Sequence, residues 1–163
     1  MVPEVMQKMI FYFGDDIRRI NHALKVYGFA RCLAGLEGLD QEQIRVVEIA
    51  ALLHDIGIKE AERKYQSTAG PYQEKEGPPV ALGLLHDFPL ERNTLDRIIY
   101  LIGNHHSYTK INGKDFQILV EADFLVNISE DEMPEHSIIA IRNRYFTTET
   151  GRSFLEKMYP GLS

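Results

Sequence analysis

Ala50-Ala51-Leu52-Leu53-His54-Asp55-Ile56-Gly57 is an apolar run interrupted by one imidazole and one carboxylate side by side. Its flanks read as a buried helix, and a carboxylate taken out of water costs several kcal/mol unless it is paired or bound to a cation. The stretch therefore reads as a core helix that carries chemistry as well as packing. Working outward, His22 sits in a helical pattern whose positions four and eight residues on, Val26 and Ala30, are apolar. Asp123 lies in Ile118-Leu119-Val120-Glu121-Ala122-Asp123-Phe124-Leu125-Val126, apolar except for its two acids. Glu121 reads there as a solvent-side charge or a group behind the site. His22, His54, Asp55 and Asp123 supply two imidazoles and two carboxylates. That mixed set suits a divalent ion such as Mn, Ni, Fe, Zn, Co or Mg. Consecutive helical residues point about 100° apart, so the helix carrying His54 and Asp55 must be deeply buried for both to reach one ion.

The rest of the chain reads as helix after helix. Asp15 or Asp16 caps a helix through Ile17, Ile20, Leu24, Phe29 and Leu33, ending near Gly35 to Gly38. Asp40 caps the next, with a stripe through Ile44, Val47, Ala51 and Ile56, and Gly57 interrupts it just after the His-Asp pair. A short charged helix follows over residues 59–64. Residues 66–79, with Gly70-Pro71 and Gly77-Pro78-Pro79, are expected to be irregular. Further helices are expected at about 80–86, 90–106, 116–127 and 147–158, with Pro134 opening another. No strand of period two is present, so the fold expected is an all-α bundle. A second pair, His86-Asp87, stands just before Phe88-Pro89 and reads as a helix C-terminus.

Length and composition set the frame. With 163 residues the chain is expected to form one domain able to bury a real core. The single Cys32 excludes an internal disulfide, fits a reducing compartment, and reads as a small buried hydrophobe among Ala30, Leu33 and Ala34. The run Met9-Ile10-Phe11-Tyr12-Phe13 is too short for a signal-peptide core, and no stretch is long enough to span a membrane. A cytoplasmic soluble protein is the expectation. Net charge is −6, which argues against a nucleic-acid polymer as partner and leaves room for a small phosphorylated substrate.

In order and context, His22, His54-Asp55 and Asp123 resemble the H…HD…D pattern of the HD-domain superfamily of metal-dependent phosphohydrolases, and His54-Asp55-Ile56-Gly57 matches its HDIG form. The resemblance covers about residues 16–128, the motif-bearing core of a stand-alone domain over 1–163, with a helical extension over 129–163 that is compatible with a homodimer. It implies a helical bundle with the metal held between facing helices by His22, His54, Asp55 and Asp123. It also implies hydrolysis of a nucleotide or another phosphomonoester by metal-activated water. Asp55 is then the ligand placed to take a proton, with Glu76 and His105 as candidates to assist as base or leaving-group acid.

His105-His106 occupies the place of the His-His pair in the two-metal HD-GYP phosphodiesterases. The glutamate and the Gly-Tyr-Pro end of that motif are missing, and Gln73 stands where that branch has a further histidine. One ion per chain is therefore expected. A second would draw on Glu74, Glu76, His105 or His106. Lys59, two residues after the motif, is a candidate for the substrate phosphate, although Lys59, Arg63 and Lys64 also read as a solvated face. The alternatives within the resemblance are a two-metal phosphodiesterase, an iron oxygenase, or a non-catalytic module that senses a nucleotide.

Overall fold

The computed structural model describes residues 1–162, and among them it holds nine α-helices, one 3-10 turn at Tyr108–Lys110 and no strand. In chain order the helices are α1 (Val2–Phe13), α2 (Ile17–Leu36), α3 (Gln41–Leu53), α4 (Ile58–Tyr65), α5 (Gly70–Leu85), α6 (Arg92–Ile102), α7 (Lys114–Glu130), α8 (Glu135–Tyr145) and α9 (Glu149–Met158). The all-α bundle expected from the apolar periodicity is the fold observed.

Two helices start where their capping residues require. The Asp16 carboxylate accepts the backbone N–H of Arg19 at 3.2 Å and opens α2. Asp40 and Gln43 form a reciprocal capping box, at 2.8 and 3.1 Å, that opens α3; a cap of this kind contributes about 1 kcal/mol. The inward stripe of α2, Val26, Ala30, Leu33 and Ala34, packs on α3 and α7. From Val46 to Leu53 every residue of α3 is buried, because α1, α2, α6 and α7 surround it. A leucine-to-alanine change at Leu52 or Leu53 costs about 2–5 kcal/mol, since the surroundings cannot collapse onto the void. The third central helix, α7, is buried nearly all round from Phe116 to Ile128. Together α2, α3 and α7 carry the residues on which function turns.

The structure departs from the sequence expectations in physically informative places. α1 forms over a segment with no helix assigned to it, burying Val5, Met9 and Phe13 at four-residue spacing against its neighbours. α5 is continuous through Gly77-Pro78-Pro79, where an irregular stretch was expected. Two proline N–H donors are missing there. Packing of α5 on α4 and α6 holds the helix together in spite of them. Cys32 is exposed, not buried: the inward stripe of α2 passes through Ala30, Leu33 and Ala34 and leaves Cys32 outside it. The helix that leads into the His-Asp pair ends at Leu53, and residues 54–57 form a run of turns into α4. In those turns Ile56 N–H bonds Leu53 O and Ile58 N–H bonds Asp55 O, both at 3.0 Å.

A glycine is required at the end of that turn. A Cβ on Gly57 would meet the backbone of α5, with Gln73 O at 2.6 Å and Gly77 Cα at 2.8 Å, besides Gly77 N. The second buried acid of α7 is also placed with purpose. Glu121 is fully buried and faces away from solvent, contrary to its solvent-side reading. It accepts the N–H groups of Thr147 and Thr148 at 2.7 and 2.9 Å, the Thr148 hydroxyl at 2.5 Å and the Gln117 amide at 2.8 Å. This carboxylate ties the α8–α9 junction to α7.

Candidate metal centre

His22 lies in the second turn of α2, His54 and Asp55 follow the last residue of α3, and Asp123 stands at mid-length in α7. The packing of these three helices brings the four side chains together. His22 Nε2 is 3.2 Å from His54 Nε2 and 3.2 Å from Asp123 Oδ1. Asp55 Oδ2 is 3.5 Å from each of the two imidazole nitrogens, and His54 Nε2 is 3.6 Å from Asp123 Oδ1. His54 keeps helical backbone angles, and tight i to i−3 turns follow it, so Asp55 stands one step round the same axis with α2 and α7 packed against both side chains.

The hydrogen bonds behind the imidazoles fix what these atoms are. His54 Nδ1 is 2.8 Å from the carbonyl of Ala51, which can only accept, so Nδ1 carries the proton and Nε2 the lone pair. His22 Nδ1 donates in the same way to Glu130 Oε2 at 2.9 Å. With both rings neutral, the Nε2 lone pairs of His22 and His54 face Asp123 Oδ1 in one close group, and Asp55 Oδ2 approaches the same two nitrogens. Ligand atoms about 2.0–2.2 Å from an ion, at tetrahedral or octahedral angles, stand about 3.0–3.5 Å apart. The observed spacings suit that arrangement, and the residues present fit a divalent cation. Without an ion, the same carboxylates draw protons onto the two rings. Burial opposes charge on His54, yet the carboxylates of Asp55 and Asp123 outweigh it and raise the imidazole to about 9. For His22 burial is likewise outweighed by Asp123, and its imidazole also rises. Burial pushes Asp55 and Asp123 up, but His54 beside the first, and His22 and His54 beside the second, hold both below the usual carboxylate range.

Beyond the four lies a second group. His105 Nδ1 donates to the carbonyl of Ile102 at 2.9 Å, so its Nε2 is a bare acceptor, and it faces Asp55 Oδ1 at 3.4 Å. Nε2 of His105 and of His106 are both buried without a hydrogen-bond partner. Burial, and then the neighbouring His105, push His106 down to about 4, so this ring is neutral. Asp55, His105 and His106 each offer a ligand atom within 4.8 Å of the others. Asp55 thus presents one oxygen to each group.

Three residues singled out in the sequence lie elsewhere. Glu76 accepts from Lys64 at 2.5 Å and from the Tyr65 hydroxyl at 2.8 Å, which holds it in the α4–α5 seam, outside both groups of converging ligand atoms. Glu74 accepts the N–H of His106 at 3.0 Å and the Ser107 hydroxyl at 3.1 Å, so it positions the histidine pair from behind. Lys59 donates to Tyr12 O at 3.0 Å and lies over the Tyr12 ring, turned toward α1. His86 and Asp87 are exposed at the end of α5, where His86 Nδ1 bonds Gly83 O, as a helix-capping pair does.

Sequence reasoning missed Glu130 and Asn127. Glu130 orients His22, and Asn127 donates to Asp123 Oδ1 at 2.9 Å. The signal was available, because Asp123, Asn127 and Glu130 fall at i, i+4 and i+7, one stripe of α7. Carboxylates that orient a ligating histidine strengthen metal binding by about 10–100-fold. Glu130→Gln is therefore expected to weaken metal affinity by about that factor while leaving the melting curve nearly unchanged, as titration with a competing chelator would show.

The HD domain family model matches residues 19–140, a segment that contains all four converging residues. Among solved structures the chain is similar to a protein from an uncultured Thermotogales bacterium, described as a predicted HD superfamily hydrolase. The two are 26% identical with a TM-score of 0.70, over 96% of this chain and 84% of that one. No curated protein matches the chain. With most of its length matched around His22, His54-Asp55 and Asp123, the chain belongs to the HD domain family.

Proposed function

We propose that the chain is a metal-dependent phosphohydrolase acting on a small phosphorylated substrate, a nucleotide or another phosphomonoester. The observation that carries this reading is the meeting of two imidazole Nε2 atoms, from His22 and His54, with carboxylate oxygens of Asp55 and Asp123, all of them acceptors when the rings are neutral. Such a cluster repels itself unless a cation sits within it. A divalent ion supplies a Lewis acid for a phosphoryl oxygen and lowers the pKa of a water. The chain's own part is to aim and to move protons. Glu130 and the Ala51 carbonyl hold both Nε2 lone pairs inward. Asp55 Oδ1, turned from the four-atom set toward His105 Nε2, accepts a proton from the attacking water, and His105 Nε2 is the next acceptor. A new P–O bond forms from water, the ester P–O bond breaks, and the proton ends on the leaving alcohol. Glu76 has no part in this scheme.

A two-ion form is a second reading, favoured by the two faces of Asp55 and the unpartnered His105 and His106. Plasma mass spectrometry on untagged protein purified without chelator separates the two. About one Mn, Fe, Ni, Co or Zn per chain, with phosphate released from a panel of phosphomonoesters and nucleotides, is the expected result. Two ions per chain, falling to one in His105→Ala, would establish the second reading. A protein that takes up no ion after reconstitution with Mn or Fe would end both.

A further inference from the structure

The approach to the metal centre is a cleft of about 450 Å³ between the start of α2, the start of α4 and the end of α7, with His22 and Asp55 in its wall. Its chemistry narrows the substrate. All of its lining is polar or charged apart from Ile58, and the imidazole of His22 is the one ring in it. Pairing the charges leaves a short remainder. Arg19 is held by Asp16 at 2.9 Å and by both oxygens of Glu62 at 2.6 and 2.9 Å, which fixes its guanidinium at the cleft wall. Glu130 is engaged by His22 and Lys25. Arg18 and Asp131 line the same cleft, and neither side chain has a bonded partner among the described residues. The Thr68 hydroxyl and the amide oxygen of Asn127, whose nitrogen is turned to Asp123, are also free to bond a ligand.

Such a cleft offers cations to an anion and several oxygen acceptors to hydrogen donors. A nucleobase wants a flat apolar or aromatic face, worth about 1–3 kcal/mol per stacked base, and this cleft offers no tyrosine or phenylalanine; its one imidazole, His22, faces the metal site. Tyr108 and Tyr145 border a second cavity of about 790 Å³, which His106 lines but none of His22, His54, Asp55 or Asp123 does.

We propose that the cleft selects a hydroxyl-rich, non-aromatic phosphate monoester of the sugar- or polyol-phosphate class, with Arg18 on the phosphate and Asp131 and Thr68 on the hydroxyls. The proposal rests on the phosphohydrolase reading and chooses among the substrates that reading allows. Arg18 takes the role considered for Lys59, with Arg19 as a fixed positive neighbour.

The test compares kcat/KM of the metal-loaded protein on ribose 5-phosphate, glucose 6-phosphate, glycerol phosphate, nucleoside monophosphates and p-nitrophenyl phosphate. At least one hydroxylated aliphatic ester is expected to exceed every nucleotide by about tenfold, the value of one hydrogen bond to a charged group. Arg18→Ala is expected to raise KM about tenfold on all esters with metal content unchanged. Asp131→Asn is expected to raise KM most on the hydroxylated esters and least on p-nitrophenyl phosphate, which has no hydroxyl to recognise. Tyr145→Ala serves as the control outside the cleft. Nucleotides favoured over sugar phosphates, with activity lost in Tyr145→Ala, would overturn the proposal and leave the hydrolase reading standing. Metal-loaded protein that releases phosphate from none of the esters would overturn both.

Discussion

Asp123→Ala is expected to fold, to retain less than a tenth of the wild-type metal, and to lose phosphate release by about 10³-fold or more. Its Oδ1 approaches both imidazoles, at 3.2 and 3.6 Å, and comes nearest of any carboxylate oxygen to His22 Nε2. Its loss also leaves the Asn127 amide without its acceptor. Deleting an outer partner of a metal ligand costs about 10–100-fold in affinity, so deleting the ligand itself lies beyond that range. Folding should survive, because removing a buried carboxylate also removes its desolvation cost. Metal content by mass spectrometry and single-substrate kinetics check the two halves separately. A variant that keeps its ion and its rate would mean that the chemistry happens somewhere other than these four atoms.

The second large effect is on stability. Gly57→Ala places a methyl group against the backbone of Gln73 and Gly77 on α5, and backbone cannot swing aside as a side chain can. The turn carrying His54 and Asp55 must move away from α5, or α5 must move away from it. Overpacking of this kind costs about 3 kcal/mol, which for a domain of this size lowers the melting temperature by roughly 6–12 °C. The displaced turn should bind its ion more weakly as well. A melt within 2 °C of wild type would show that the crossing has room to spare, which contradicts the contacts described above.

Much of the architecture was legible because local chemistry and global packing agreed. Asp16 and Asp40 cap α2 and α3 with side chains whose only partners lie a few residues on, so sequence spacing reveals them. The apolar run around Asp123 has nowhere to go but the core. α5 was not legible, because Gly77-Pro78-Pro79 is a local signal against helix and the forces that overrule it are tertiary packing on the flanking helices α4 and α6. The position of Glu76 was misread for a related reason. Its register relative to the histidines was plausible along the chain, but its carboxylate is captured by Lys64 and Tyr65 across the α4–α5 seam. Glu130 shows the opposite case: its helical register with Asp123 is visible in the sequence, but its partner His22 lies on α2.

The buried Glu121 couples the two ends of the molecule in a way that a family boundary hides. The matched segment stops at residue 140, yet the donors that satisfy this carboxylate come from Thr147 and Thr148. A protease that clipped the α8–α9 junction would strand a negative charge inside the bundle two residues from Asp123. Stranding one partner of a buried ionic or hydrogen-bonded group costs about 3–5 kcal/mol. The junction before the last helix thus acts as a stopper for the middle of the protein, and cutting it would be felt beside Asp123 before it was felt at the surface.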